Sequence, residues 1–340
     1  MQTESPSGAQ REALSFWLRE PGVGEIRRTT LAAPGHQDVA VRTLRSAVSR
    51  GTESLVFGGH VPPSQYDVMR APFQDGDFPG PVKYGYLNVG LVEDGPPHLR
   101  GRTVFCLHPH QTAYVVPASA VAIVPDDVPV ERAVLAGIVE TAVNALWDAA
   151  PLIGDRVAVV GAGTVGCCVA RLLTRIPGVS VTLVDVDPAR ADVAAVLEVD
   201  FALPEDAAGG RDLVFHTSAT SSGLQRSLEL LAAEGTVLEL SWYGDEKTEI
   251  SLGGSFHSGR LAVRASQVGT VAPARRDRRT TADRLTLALE LLRDDAFDSR
   301  LAGESPFETL PDVMPRLVSR ELPALCHALT YETVEVPCTR

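Results

Sequence analysis

The chain has 340 residues, 44% of them hydrophobic, which is long enough for two domains and apolar enough to fill real cores. Its formal net charge of −12 excludes broad nucleic-acid binding and points to a soluble protein acting on a small molecule. No stretch approaches the ~18 consecutive apolar residues of a membrane span. The five cysteines, Cys106, Cys167, Cys168, Cys326 and Cys338, are scattered, as free thiols in a reducing cytoplasm would be.

Residues 1–13 (MQTESPSGAQREA) lack a basic region and an apolar region, and read as a disordered tail rather than a signal peptide. From Leu14 to about Val130, short apolar alternations recur between turn signals: 14–18, 39–44, 88–92, 103–107, 114–116 and 121–124. Heavy Pro/Gly punctuation, as in Pro79-Gly80-Pro81, makes this the pattern of a small β-barrel. The texture changes at Pro129. Residues 131–150 are alanine-rich with helical spacing through Leu135, Ile138, Val139, Ala142 and Leu146.

The stretch RVAVVGAGTVGCCVARLL (156–173) follows. A β-branched run leads into Gly161, Gly163 and Gly166 at G-x-G-x-x-G spacing. An apolar helical pattern comes next, then a second strand-like run ending at Asp185. Strand, glycine turn, helix, strand and acid form the βαβ dinucleotide fingerprint. Gly161 allows the tight turn, Gly163 lets the backbone approach a pyrophosphate, and Gly166 lets helix and strand pack closely. Thr164 and Val165 lie in the turn, where the helix N-terminus offers N–H groups to phosphates. Asp185 is placed to accept ribose hydroxyls and would repel a 2′-phosphate, so NAD is expected rather than NADP. Arg190, the first cation beyond it, either lies over the adenine or is a solvated helix-start residue.

Strands at 157–160, 181–184, 213–215, 236–240 and 261–264 alternate with helical patterns at 188–197 and 223–233, which reads as a doubly wound parallel sheet. After strand 213–215, Thr217 and Ser218 are placed to bond cofactor ribose or carboxamide. Leu240 ends the next strand similarly, and Trp242 beyond it is either a pocket wall or core. After Gly269 come a basic run (275–279), helices at 281–293 and about 310–319, and a last strand at 326–331. The basic run is either a solvated loop or an anion site at a cleft edge. The expected organisation is a barrel domain of 14–130 and 271–340 around a nucleotide domain of 131–270, with the active site in the cleft between them.

This order of elements resembles the medium-chain dehydrogenase/reductase superfamily over nearly the whole chain. The residues carrying the likeness are SRGTE (49–53), PVKYGYLNVGLVEDG (81–95), ETAVNALWDAA (140–150), VAVVGAGTVG (157–166) and EGTVLELSWYG (234–244). The resemblance implies a GroES-like barrel, a Rossmann domain and a C-terminal segment completing the barrel. R-G-T-E and G-Y are similar to the branch containing bacteriochlorophyllide hydroxyethyl dehydrogenase. Relatives often pair through the last Rossmann strand, here about Leu261–Arg264, so a homodimer is expected.

Against zinc-dependent members of that superfamily, Arg50 stands where a Cys ligand would, Glu53 stands for an Asp, and Tyr86 and Leu87 replace the His and Glu of G-H-E. Only Glu140 matches a ligand position, and one oxygen donor does not hold Zn²⁺. A zinc-free site is therefore expected. Arg50 would substitute for the cation and pair with Glu140, unless the two point apart. Without a Lewis acid the hydroxyl proton needs a positioned acid/base, for which Tyr86 is the first candidate, with Lys83 or Arg50 lowering its pKa; otherwise it is an aromatic core residue. Glu53 and Thr52 form a polar relay or a structural turn. His60 lies in a loop that either covers the cleft or is simply surface. Cys106, His108 and His110 fall on one strand face by alternation, but no fourth metal ligand is evident.

The expected function is a cytoplasmic, zinc-independent, NAD(H)-dependent oxidoreductase interconverting an alcohol and a carbonyl. Reduction of an activated C=C bond by NAD(P)H, as in quinone- and enoyl-reductase-like members, and a noncatalytic NAD-binding sensor or assembly protein are the alternatives.

Overall fold

The structure, a computed structural model, describes residues 11–322 and 325–332. Cys338 and the first ten residues of the expected tail lie outside them. Residues 11–13, expected to belong to a disordered tail, are strand: Arg11–Ala13 pair with Thr29–Leu31.

The N-terminal half is β-rich. Its elements are β1 (Arg11–Glu20), β2 (Val23–Leu31), β3 (Asp38–Val48), α1 (Arg50–Gly58), β4 (Asp75–Gly76), β5 (Val82–Lys83), β6 (Asn88–Asp94), β7 (Thr103–Cys106), β8 (Ala113–Pro117) and β9 (Val121–Ile123). β1 carries Phe16 and Leu18 into a core shared with Val56, Phe57, Val82 and Tyr84. β2 has no fully buried residue: it is half-buried except at Arg28 and Thr30, which are exposed. It forms because β1 supplies a partner along its whole length, and Arg27 lays its guanidinium 4.6 Å over the Trp17 ring.

α1 is a helix where a turn was one reading. Its start is set by the Glu53 carboxylate, which accepts the Ser49 N–H at 2.7 Å, and its end by Gly59 in the left-handed region at φ 75°.

Helices α2 (Val130–Ala133) and α3 (Ala136–Ala149) lead into the nucleotide-type half. There β10 (Arg156–Val160), α4 (Thr164–Leu173), β11 (Ser180–Val184), α5 (Arg190–Val196), β12 (Asp200–Ala202), β13 (Arg211–His216), α6 (Ser221–Leu230), β14 (Leu231–Glu239), α7 (Ser255–Ser258) and β15 (Ala262–Ala265) build one sheet. Its strand order is β12-β11-β10-β13-β14-β15, and every pairing is parallel. Val157, Val159, Leu183, Val214 and Leu238 are fully buried, as strands covered on both faces require. Helix α6 begins two residues before the predicted 223, because Thr220 accepts the Gly223 N–H. It gives way to β14 at Leu231, inside the predicted helix.

The C-terminal part holds α8 (Thr281–Leu291), β16 (Leu301–Pro306), α9 (Leu310–Val318) and β17 (Cys326–Thr330). β17 runs antiparallel to β3, so the end of the chain returns to the first half's sheet, whose order is β16-β17-β3-β6-β7-β9 with β8 also on β3. The largest core gathers Leu87 and Phe105 from the barrel, α3, Val157 and Cys167 from the parallel sheet and its helix, and Leu289 from α8. The two halves therefore share one apolar interior. Cys106, Cys167, Cys168 and Cys326 are all buried.

A buried cation ties α4 to the segment after α8. Arg171, 3% exposed, donates to Asp294 at 2.8 and 3.1 Å and pairs with Glu198 at 2.8 Å. Burial alone would raise the Asp294 carboxyl, but hydrogen bonds from Arg171 and Arg175 overcome it and hold the pKa at about 2. A folded pKa below the unfolded ~3.9 contributes stability that is complete above that value and lost as the pH falls through about 2. Asp294→Asn is expected to cost roughly 2 kcal/mol at neutral pH and to flatten the acid limb of a urea-unfolding series over this window. An unchanged acid limb would show that the pair contributes nothing.

Candidate active site

The strand order reverses between β10 and β13, where the chain returns from β12 to the other side of β10, and that is where an open α/β sheet offers a crevice. The glycine turn lies there. Gly161 has φ 110°, and a Cβ on it would meet the Ser218 nitrogen at 2.7 Å. A Cβ on Gly166 would collide with the Gly161 carbonyl oxygen and meet Thr217 Oγ1 at 2.6 Å. These two glycines are required by packing. Gly163 differs, because nothing lies within 4 Å of where its Cβ would be. It has no side chain to cap α4, so the first N–H groups of that helix have no side-chain acceptor from within the turn. Val165 packs half-buried on the shared core, and Thr164 donates to the Leu325 carbonyl at 2.5 Å, linking the turn to the C-terminal segment.

At the end of β11, Asp185 accepts the Ala162 N–H at 2.6 Å and the Asp187 N–H at 3.0 Å. The carboxylate is thus aimed at the glycine turn with lone pairs remaining for ribose hydroxyls. Arg190 is held by Asp187 at 3.2 Å. Thr217 donates to the Gly161 carbonyl at 2.7 Å, and the Leu240 N–H donates to the His216 carbonyl at 3.0 Å. The residues expected to bind the cofactor therefore gather along the C-terminal edges of β10, β11, β13 and β14. This geometry fits a dinucleotide.

On the barrel side, the expected Arg50–Glu140 pairing is replaced. Glu140 and Arg284 are 4% and 1% exposed, and Arg284 Nε donates to Glu140 Oε1 at 3.0 Å. Arg284 also donates to Asn144 Oδ1 and to the carbonyls of Val268 and Thr270. Glu140 and Asn144 are four residues apart on one face of α3, so one guanidinium reaches both. Burial pushes the Glu140 carboxyl up, while Arg284 pulls it back. Sequence reasoning missed Arg284. The signal was a cation on the apolar stripe of α8, beside Leu285, Ala288 and Leu289. Arg50 has a different environment. Burial first, then the guanidiniums of Arg320 and Arg190, lower its pKa, so Arg50 lies among cations rather than against Glu140.

Tyr86 packs at the seam of the barrel core and the shared core, and its hydroxyl donates to Ser49 Oγ at 2.7 Å. Burial, then the charge of Glu53, push the phenol up to about 12, although the Ser49 and Thr52 hydroxyls pull it down. The expected lowering by a cation does not occur. Lys83 directs its ammonium to Gln111 at 3.1 Å and lies 3.8 Å from Asp75. Glu53, 4% exposed, is not on a turn: besides the Ser49 N–H it binds His110 Nε2 at 2.9 Å. His110 Nδ1 meets Ser46 Oγ at 2.8 Å, and Ser46 meets the Tyr331 hydroxyl at 2.7 Å. Ser46, Ser49 and Tyr331 had no local signal, being joined only by the pairing of β3 with β17.

β7 ends at Cys106, so the strand alternation expected to align Cys106, His108 and His110 does not extend to the two histidines. His108 stacks on Tyr114 at 3.9 Å, and burial pushes it down to about 3; His110 goes to Glu53. Among the described residues no three His, Cys, Asp or Glu side chains form a group that could hold a metal ion. The donors at the matched positions do not fit zinc either, since they are a guanidinium, a phenol and a carboxylate already bound to arginine. His60 contacts Asp245 at 3.2 Å, and a Cβ on Gly244 would strike its carbonyl, so the 58–63 loop meets the loop after β14. Trp242, half-buried in that second loop, packs on the barrel core. Arg275–Arg279 form an exposed loop before α8.

No family model matches the chain, and no curated protein is similar to it in sequence. Solved structures are similar in fold. An L-idonate 5-dehydrogenase from Escherichia coli superposes with a TM-score of 0.78 at 15% identity, covering 94% of this chain and 99% of that one. An E. coli protein described as a short chain alcohol dehydrogenase, in complex with NADH, gives 0.74 at 15% identity over 94% and 99%. A zinc-binding-type dehydrogenase from Sinorhizobium meliloti bound to NADP gives 0.73 at 17% identity over 94% and 100%. The chain has the two-domain α/β fold of these dehydrogenases, with a Rossmann-like parallel sheet and largely antiparallel sheets in the other half.

The glycines separate fold from binding. Gly163→Val fills open space at an allowed φ of −75°, so it is expected to leave the urea midpoint unchanged while weakening NADH binding more than tenfold. Gly166→Ala is expected to lower the midpoint as well. Tight NADH binding by folded Gly163→Val would remove the turn from the site.

Proposed function

We propose that this protein is a zinc-independent, NAD(H)-dependent oxidoreductase that interconverts an alcohol and a carbonyl on a small molecule. The observation that carries the reading is the Asp185 carboxylate bonded to the Ala162 N–H of the glycine turn. It presents acceptors to two ribose hydroxyls and a negative charge where a 2′-phosphate would have to sit, which favours NAD. Arg190 does not offset that charge, being held by Asp187. Arg50, buried near the guanidiniums of Arg320 and Arg190, is not the Glu140 partner expected of it. Thr164, Val165, Thr217, Ser218 and Leu240 complete the crevice.

Bound NAD(H) would supply the hydride donor or acceptor; the chain's own residues must position the substrate and handle the proton. Tyr86 is the proposed proton donor. A phenol at about 12 is a poor base at neutral pH but stays protonated, ready to give its proton to an alkoxide forming from a carbonyl. Carbonyl reduction is therefore the favoured direction. Thr52 and Ser49 orient the phenol, and Glu53 with His110 holds the turn of α1 that carries them. Glu140, neutralised by Arg284, shapes the cleft floor without taking part in proton transfer. The SRGTE and PVKYGYL stretches keep the protein with the zinc-lacking branch similar to bacteriochlorophyllide hydroxyethyl dehydrogenase.

A homodimer is proposed through β15. All four of its residues are exposed, and it leaves one strand edge unpaired. No helix among the described residues is long and apolar enough to cross a membrane, and a cytoplasmic location is proposed.

NADH oxidation against a panel of aldehydes and ketones tests the reading. Tyr86→Phe is expected to lower kcat at least tenfold with unchanged NADH affinity. A donor with a pKa of about 12 should keep the reductive rate level to roughly pH 10, whereas an ordinary phenol would be half ionised there. Undiminished turnover in Tyr86→Phe, or a rate halved near pH 10, would remove Tyr86 from the mechanism.

A further inference from the structure

At the ends of β13 and β14 a hydrogen-bonded chain runs beneath the crevice, and none of the proton chemistry above uses it. His216 is fully buried. Its Nδ1 meets Glu239 Oε2 at 2.7 Å, and its Nε2 meets Ser218 Oγ at 2.7 Å. Ser218 Oγ also meets Thr220 Oγ1 at 2.9 Å, and Thr220 accepts the Gly223 N–H at 3.0 Å. The site is tightly built. A Cβ on Gly223 would run into Ser218 Oγ and come within 2.9 Å of His216 Nε2.

Donor and acceptor roles follow from the far end. Glu239 Oε1 accepts the Ser241 N–H at 2.7 Å, and Oε2 also accepts the Tyr243 hydroxyl at 3.0 Å. Burial pushes Glu239 up, but hydrogen bonds from His216 and Ser241 outweigh it and leave the carboxyl below its ordinary range. A carboxylate only accepts, so Nδ1 carries a proton; in the neutral imidazole Nε2 then keeps a lone pair. Nε2 therefore accepts the Ser218 O–H. Thr220, whose oxygen is occupied by the Gly223 N–H, donates its own proton to Ser218. Ser218 Oγ is left with one open lone pair, on a half-buried residue whose backbone abuts Gly161.

We infer that Glu239 and His216 are positioning residues for the dinucleotide: through the imidazole tautomer they fix Ser218 as a hydrogen-bond acceptor toward the crevice, for a carboxamide N–H. This rests on the cofactor reading above and goes beyond it, because the polarity of Ser218 is dictated from a second strand. The same logic makes an acid-to-amide change behind a histidine harmful without altering shape.

The design dictates its test. In Glu239→Gln the Ser241 N–H retains the amide oxygen, so the NH₂ faces Nδ1. The imidazole proton moves to Nε2, Nε2–H fills the open lone pair of Ser218, and the released Ser218 O–H turns Ser218 from acceptor to donor toward the crevice. NADH binding, followed by fluorescence, should weaken roughly three- to tenfold, the worth of one neutral hydrogen bond. Ser218→Ala should lose the same amount, and the double variant no more than either single one. Nitrogen NMR of the ligand-free protein should place the His216 proton on Nδ1 in the wild type and on Nε2 in Glu239→Gln. A wild-type protein that does not bind NADH overturns the cofactor reading and this inference with it. NADH binding with additive losses, or with none, overturns the inference alone. Should Glu239→Gln not fold, the wild-type tautomer decides: a proton on Nε2 overturns the inference.

Discussion

A guanidinium buried as deeply as that of Arg284 must be neutralised where it lies, and the structure meets this need with Glu140. The consequences reach across the molecule. Glu140 and Asn144 stand on α3, the helix that touches barrel and Rossmann sheet alike, and Arg284 adds the carbonyls of Val268 and Thr270 beyond β15. One side chain thus joins α3, α8 and the exit from the parallel sheet. Such a pair need not add net stability, because both ions are desolvated, but removing either partner leaves an uncompensated charge. It also withdraws from metal chemistry the only carboxylate at a position matched to a zinc ligand.

With that carboxylate engaged, the cleft is left with neutral donors on one side and fixed acceptors on the other. The barrel contributes Tyr86, Ser49 and Thr52 on or beside the first turn of α1, held by Glu53 and His110. The Rossmann edge contributes Asp185, Thr217 and Ser218. On each side an acid is bonded to a histidine. Glu53–His110 stands behind the Tyr86 side, and Glu239–His216 behind Ser218. Arg50 lies near Arg190 and Arg320, a local grouping of cations in a chain that is acidic overall.

Much of this was legible in the sequence where backbone geometry leaves no choice. Gly161 needs a positive φ, and Gly166 has no room for a Cβ; such demands constrain the residue type directly. The parallel strands were legible because both faces are covered, which writes continuous β-branched runs. α1 was not, since Gly51 and Thr52 are weak helix formers and its start depends on a single carboxylate–amide contact. β2 was not, because it depends on β1 rather than on its own pattern. Arg50 was assigned to Glu140 by matched position alone. The actual partner lies 144 residues from Glu140 in sequence, and only the packing of α8 on α3 brings it near. The tautomer logic behind Ser218 needed the register of β13 with β14, which pairs His216 with Glu239.

The central claim is that hydride chemistry here proceeds without zinc, with Arg284–Glu140 and Tyr86 where a metal centre would stand. Elemental analysis of the purified protein, paired with NADH-linked carbonyl reduction before and after exhaustive chelation, tests it most directly. The account predicts zinc far below one ion per chain and the same kcat on both sides of the treatment. One tightly held zinc per chain, whose removal abolishes turnover and whose return restores it, would contradict it.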